Sequence, residues 1–151
     1  MIDAATTLTL VEWRRVAYRM DPAVLRACIP AGVPGTYVLL HGANPIYVGR
    51  SDTCTLRRLC THEHATNATH VTWEPSTSPQ RAFWLEAAAF HTLCSSAQLL
   101  NQRHPAKPTG YSKDCPFCGA GVDRALGIAL SKRSAISAVA VDREGSCCEN
   151  L

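Results

Sequence analysis

The chain has 151 residues, 46% of them hydrophobic and 18% charged, which suits one ordinary domain with a real core and excludes wholesale disorder. Fifteen Lys and Arg against twelve Asp and Glu give +3. That excess is spread evenly, at +1 in each of residues 1–34, 35–105 and 106–151, so no basic tail of the kind that binds phosphate non-specifically is present.

Met1-Ile2-Asp3 places an acid where a secretory leader needs a cation, and polar residues interrupt every long apolar run. The expectation is a soluble, cytoplasmic chain that spans no membrane. Its eight cysteines are then reduced thiols, read as metal ligands or as small buried hydrophobes rather than as a disulfide framework.

In chain order, Thr9-Leu10-Val11-Glu12 fits a capping box and opens a helical stretch over residues 9–28, with Met20-Asp21-Pro22 stopping one helix and starting another. Pro30 to Pro34 is a loop. The period then changes: Gly35-Thr36-Tyr37-Val38-Leu39-Leu40 and Ile46-Tyr47-Val48-Gly49 read as two strands joined by the turn residues His41 to Pro45, a β-hairpin. Ser51-Asp52-Thr53 offers N-cap oxygens to a helix running to about His64. His70 to Trp73 reads as a third strand. Ser78-Pro79 opens a helix through Ala82–Leu93, with Leu100 its farthest end, a loop follows, and a last helix is expected near Val122–Ser131 before a frayed end at 142–151. These elements make an α+β domain with a small antiparallel sheet of about three strands flanked by helices. The division is an N-terminal helical extension (1–34), a central domain (35–105) and a Cys-containing extension (106–151).

Three features ask for chemistry. Phe83, Glu86, Phe90 and Leu93 share one stripe of the long helix, and a carboxylate in an apolar stripe needs a cation, a metal or several donors to offset its desolvation. It reads either as a brace paired with an Arg or as a ligand for a hard metal such as Mg²⁺ or Mn²⁺. Arg58 and His62, four apart, fall on one helical face just beyond the hairpin. Tyr37 and Tyr47 lie on the paired strands, where the plain role of a tyrosine is cross-strand packing.

Taken in order, Gly35-Thr36-Tyr37, Ile46-Tyr47-Val48-Gly49-Arg50-Ser51, Leu56-Arg57-Arg58-Leu59 with His62, then Glu86 and Asn101, resemble the GIY-YIG nuclease superfamily over residues 33–105. The resemblance implies a divalent-metal-dependent endonuclease that hydrolyses phosphodiester bonds of nucleic acid, DNA before RNA. It makes Tyr37 the residue contacting the attacking water and puts Tyr47 near the same phosphate. Arg58 becomes the cation on that phosphate, with His62 assisting the tyrosine or the proton traffic. Glu86 is then the single ligand of Mg²⁺ or Mn²⁺, and Asn101 the residue that holds the site in shape. Arg57 remains an alternative for the catalytic arginine; otherwise it binds substrate, as does Arg50. Because a free phenol has a pKa of about 10, Arg58 and a metal-bound water network are expected to lower it by ~2–3 units. Thr36 stands where isoleucine is commoner, which a strand should tolerate. A homodimer is left open.

Cys115-Pro116-Phe117-Cys118-Gly119 is one half of a zinc knuckle. Cys147 or Cys148, with His104 or His91, are the further ligands on offer, and a reduced pair on a turn is the alternative. Two other functions therefore stand beside the nuclease: a catalytically idle nucleic-acid-binding or adaptor domain of the same fold, and a small zinc-stabilised interaction protein.

Overall fold

Strand order organises this protein: in a computed structural model, which describes residues 16–101 and 103–118, four antiparallel strands form one sheet in the order β1-β4-β2-β3. The strands are β1 (Tyr18–Arg19), β2 (Gly35–His41), β3 (Asn44–Ser51) and β4 (His70–Pro75), and the helices are α1 (Pro22–Cys28), α2 (Thr55–Cys60) and α3 (Pro79–Leu93). The helices expected over residues 9–15 and 122–131, and the frayed end at 142–151, lie outside the described residues.

The hairpin forms as expected, with Tyr37 opposite Gly49 and Val38 opposite Val48, and with Gly42 at φ +60 in the turn. A register shift between Leu39 and Leu40 lets Pro45 enter β3 on the sheet's edge, where its missing N–H costs nothing. β2 is central and buried, and its side chains alternate between two helical layers. Tyr37 and Leu39 join Leu25 and Ile29 of the α1 segment, Leu59 of α2 and Val71 in one core; Val38 and Leu40 join Val48 and Leu93 of α3 in the other. Thr36 faces α3 as well, and its hydroxyl donates to the Ala82 carbonyl at 2.8 Å, so the polar atom in a buried strand is satisfied.

Three corrections to the sequence expectations concern element ends. Residues 18–19 are not helical: they pair with Val71 and His70, adding a fourth strand where about three were expected. Asp21 does start the following helix, its carboxylate accepting from the amides of Ala23 and Val24 ahead of Pro22 at the first turn. The N-cap of α2 is Cys54, whose Sγ accepts from Arg57 N, while Ser51 Oγ is used by the Cys54 amide. α2 then stops at Cys60 instead of His64, leaving His62 in a turn beyond the helix. α3 begins where expected, capped by Ser78, and ends at Leu93, the nearer of the two ends expected for it. Leu100 instead donates its N–H to Ile46 O on the outer edge of β3. Edge pairing wins over helix extension there because β3 has no strand on that side.

Candidate functional site

Tyr37, Tyr47 and His62 meet on the side of the sheet covered by α1 and α2. The phenol rings lie nearly parallel, 6.4 Å apart, and the His62 ring sets its edge against both, at 5.5 Å from Tyr37 and 4.7 Å from Tyr47. Gly49 makes this convergence sterically feasible. A Cβ there would stand 2.6 Å from Tyr37 Oη and 2.7 Å from Tyr47 Cε1, so any side chain would displace one of the phenols. Gly35, at the other end of the pairing, is fixed by the backbone of Glu74, whose carbonyl a Cβ would strike.

Arg58 completes the group electrostatically. Its guanidinium favours the anionic forms of both Tyr37 and Tyr47, although it makes no well-directed hydrogen bond to Tyr37 Oη. Both arginines are exposed, but Arg57 turns to Thr53 Oγ1 in a long bond of 3.4 Å while Arg58 is the one whose charge acts on the phenols. Four buried side-chain polar atoms among the described residues have no hydrogen-bond partner, and two of them, Tyr37 Oη and His62 Nε2, belong to this cluster. His62 Nδ1 accepts from the His64 amide at 3.1 Å. Because Nδ1 is an acceptor, the neutral ring carries its proton on Nε2, which is therefore a donor lacking an acceptor. Burial, together with the charge of Arg58, lowers the His62 pKa to about 4 and keeps the ring neutral at pH 7.

Glu86 comes from α3, only 8% exposed, and Arg50 at the end of β3 donates to its Oε2 while its Nε donates to Asp52 at 2.7 Å. The Arg50 guanidinium also lies over the Phe83 ring, 5.4 Å from the centroid. Arg50 is thus part-buried on β3, its charge shared by two carboxylates and a ring, and is not an exposed loop cation. Burial raises the Glu86 pKa to about 7, and the attraction of Arg50 offsets only part of that. No hydrogen bond joins Glu86 to the phenols among the described residues. They sense one another through charge, Glu86 opposing and Arg58 favouring each phenolate.

With Arg58 alone beside them and no metal ion, the phenols are not lowered. Burial raises both phenols above their ordinary value, because an anion in this packed face loses more hydration than Arg58 returns. Asn101 acts on the backbone: its Oδ1 accepts from Val48 N at 2.8 Å and its Nδ2 donates to Val48 O at 2.7 Å. It thereby clamps the residue between Tyr47 and Gly49 on the open edge of β3, a positioning role. His64, which no sequence pattern singles out, packs 5.2 Å from Tyr47 and 5.6 Å from His62; only the unforeseen turn after α2 brings it there.

A second cluster, at the C-terminal end of α3, could hold a metal ion. One ligand atom each from His91, His104, Cys115 and Cys118 lies within 4.8 Å of every other. His91 Nε2 is 3.1 Å from His104 Nε2, 3.6 Å from Cys115 Sγ and 3.5 Å from Cys118 Sγ; Cys118 Sγ is 3.4 Å from His104 Nε2. Both histidines on offer thus join the Cys-x-x-Cys pair, whose thiols form no disulfide, whereas Cys94, expected as a reduced thiol, is disulfide-bonded; Cys147 and Cys148 lie outside the described residues. No helix among the described residues is long and apolar enough to cross a membrane.

Comparison of the chain with protein-family models, with curated proteins and with solved structures finds no match.

Proposed function

We propose that this chain is a GIY-YIG-type endonuclease, a phosphodiester hydrolase acting on nucleic acid, with DNA the expected substrate and one Mg²⁺ or Mn²⁺ as cofactor. The observation that carries the reading is the convergence of Tyr37, Tyr47, Arg58 and His62 around a glycine, with two buried donors left without acceptors. Packing alone rarely leaves such atoms unpaired, since each costs about 1–3 kcal/mol. A phosphate oxygen or an ordered water is the acceptor that a hydrolase of this kind would bring.

The residues present fit a hard cation. Arg50 engages Oε2 of Glu86, which leaves Oε1 to the ion, and Asp52 remains to Arg50 when the carboxylate turns toward metal. A single carboxylate suits Mg²⁺, which keeps several waters and shares its remaining positions with substrate phosphate. When bound, the ion would supply Lewis-acid stabilisation of charge on the phosphoryl oxygens. A zinc ion in the His/Cys cluster would be structural in this reading, since four protein ligands leave no open position.

In this mechanism Arg58 stabilises negative charge on the attacked phosphate, and Tyr37 Oη orients the water that attacks phosphorus as the ester P–O bond breaks. His62, protonated at Nε2 and neutral, donates to a phenol oxygen or to phosphate and so supports charge developing there. Burial keeps the phenols protonated until cations arrive with the substrate, which ties their activation to binding.

The test is cleavage of supercoiled plasmid by the purified chain with Mg²⁺ or Mn²⁺, beside Glu86→Ala, Arg58→Ala and Tyr37→Phe. Metal-dependent cutting that falls at least 100-fold in each variant is the expected result. Protein that binds DNA but cuts neither DNA nor RNA with either ion would overturn the enzyme in favour of an idle binding domain.

A further inference from the structure

Residues 103–118 cross α3 without any helix or strand of their own, and such a segment needs something to hold it. Part of the answer is apolar. Phe117 packs with Ala87 and Ala88, Tyr111 lies 5.7 Å from the Phe83 ring, and Trp84 Nε1 donates to Tyr111 Oη at 2.9 Å. Lys107 and Asp114 close the segment with a surface ion pair that contributes little by itself.

We propose that His91, His104, Cys115 and Cys118 form a tetrahedral His₂Cys₂ zinc site that clasps this segment to α3. A tetrahedral zinc with Zn–N of about 2.05 Å and Zn–S of about 2.3 Å separates its ligands by ~3.3 Å for N···N and ~3.6 Å for N···S. The corresponding separations here are 3.1 Å, and 3.4 to 3.6 Å. Hydrogen bonds alone account poorly for that arrangement. His91 Nε2 faces three acceptor-type atoms at once, and a single N–H can serve only one of them well.

The tautomer of His104 is a second, independent argument. Its Nδ1 lies 2.8 Å from Pro105 O, and a carbonyl only accepts, so Nδ1 carries the proton and Nε2 presents a bare lone pair to the cluster. A backbone carbonyl holding the remote nitrogen of a metal-binding imidazole is the usual supporting contact of such a site. Two imidazoles with two thiolates select zinc over hard cations, and four half-buried protein ligands make the site closed.

The consequence reaches the candidate active site. The clasped segment presses Tyr111 on Phe83, whose ring also carries the guanidinium of Arg50, the partner of Glu86. The clasp is thus a positioning device for that ion pair; the metal site itself stands whether or not the chain is a nuclease.

The experiment is metal analysis of the full chain after reconstitution with zinc under reducing conditions, followed by replacement with Co²⁺. Expected are one zinc per chain, the intense visible bands of tetrahedral thiolate-bound cobalt, and a drop to below a tenth in Cys118→Ser, while Glu86→Gln keeps its zinc. Proteolysis should cut within 103–118 only after chelation. No zinc uptake by wild type, an octahedral cobalt spectrum, or protease resistance unchanged by chelation would overturn the proposal. A zinc-loaded chain that cuts no nucleic acid would sink the nuclease reading and leave the clasp intact.

Discussion

Replacing Glu86 by Gln removes one charge from a buried pair and leaves its shape, and the pH dependence of the result separates a structural brace from a carboxylate kept for chemistry. The folded protein holds the Glu86 pKa at about 7 against an ordinary 4.5, because burial outweighs Arg50. Between those values the folded state binds more protons than the unfolded one, so the stability this group contributes is fully present below pH 4.5 and is lost as pH rises through 7. At about 1.4 kcal/mol per pKa unit, the loss amounts to about 3 kcal/mol. Glu86→Gln should therefore match wild type near pH 4.5 and become the more stable protein by up to about 3 kcal/mol at pH 8. Urea unfolding of the zinc-replete, magnesium-free proteins across that range, read as the difference between variant and wild type, measures it. Added Mg²⁺ should stabilise wild type at pH 8 and leave the variant unchanged. The reasoning fails if the variant is the less stable protein at pH 8 and the deficit vanishes on acidification, since Glu86 would then be a brace ionised by Arg50.

His62 should behave in the opposite sense. Its pKa falls to about 4 from 6.5, so its stabilising contribution is present above 6.5 and is lost as pH drops toward 4; His62→Gln should flatten that acid limb by about 3 kcal/mol in the same titration. Gly49→Ala puts a methyl 2.6 Å from Tyr37 Oη, and overpacking of this kind costs about 1–3 kcal/mol; thermal unfolding should show it, and cleavage should fall with it. Asn101→Ala leaves the Val48 amide and carbonyl unpaired on the sheet edge, an expected loss of about 1–3 kcal/mol in urea unfolding. A nuclease assay on that variant should show a lower kcat with KM little changed, because the clamp sets the position of Tyr47 without touching substrate.

Local chemistry made the hairpin and the starts of α1 and α3 legible. Alternating β-branched residues around Gly42 define β2 and β3, and Asp21-Pro22 and Ser78-Pro79 write their helix starts directly into the chain. What depends on tertiary pairing was not legible. Tyr18 and Arg19 carry a helical pattern yet become a strand because β4 offers them an edge, and which of its two expected ends α3 takes is settled by Leu100 and Asn101 bonding to β3. Glu86 stood out as an anomaly, but its partner did not, since Arg50 lies on a strand 36 positions away with no pattern linking the two. His64 was invisible for a similar reason: helix periodicity places it away from His62, and the turn that unites them arises only where α2 ends. The spacing of Cys115 and Cys118 announced half a metal site, and α3 with the crossing segment supplied the histidines.

The charges of the candidate site point to a common cause for its two unfavourable features. A buried acid with its pKa near 7 and two phenols held above their ordinary value each cost the metal-free protein stability or readiness. Apolar replacements would relieve the cost, since a buried ion pair can often be exchanged for well-packed hydrophobes without loss. In the proposed nuclease, both features would respond to the same event. A divalent cation beside Glu86 favours its ionised form, and positive charge delivered near Tyr37 and Tyr47 offsets the burial that keeps them neutral. The apparent affinity for Mg²⁺ should then fall about tenfold per pH unit below 7, where the ion must displace the Glu86 proton. Isothermal titration in two buffers of different ionisation heat would show proton release accompanying binding at pH 6 and little at pH 8. Proton uptake, or none at either pH, would mean that the carboxylate does not meet the ion.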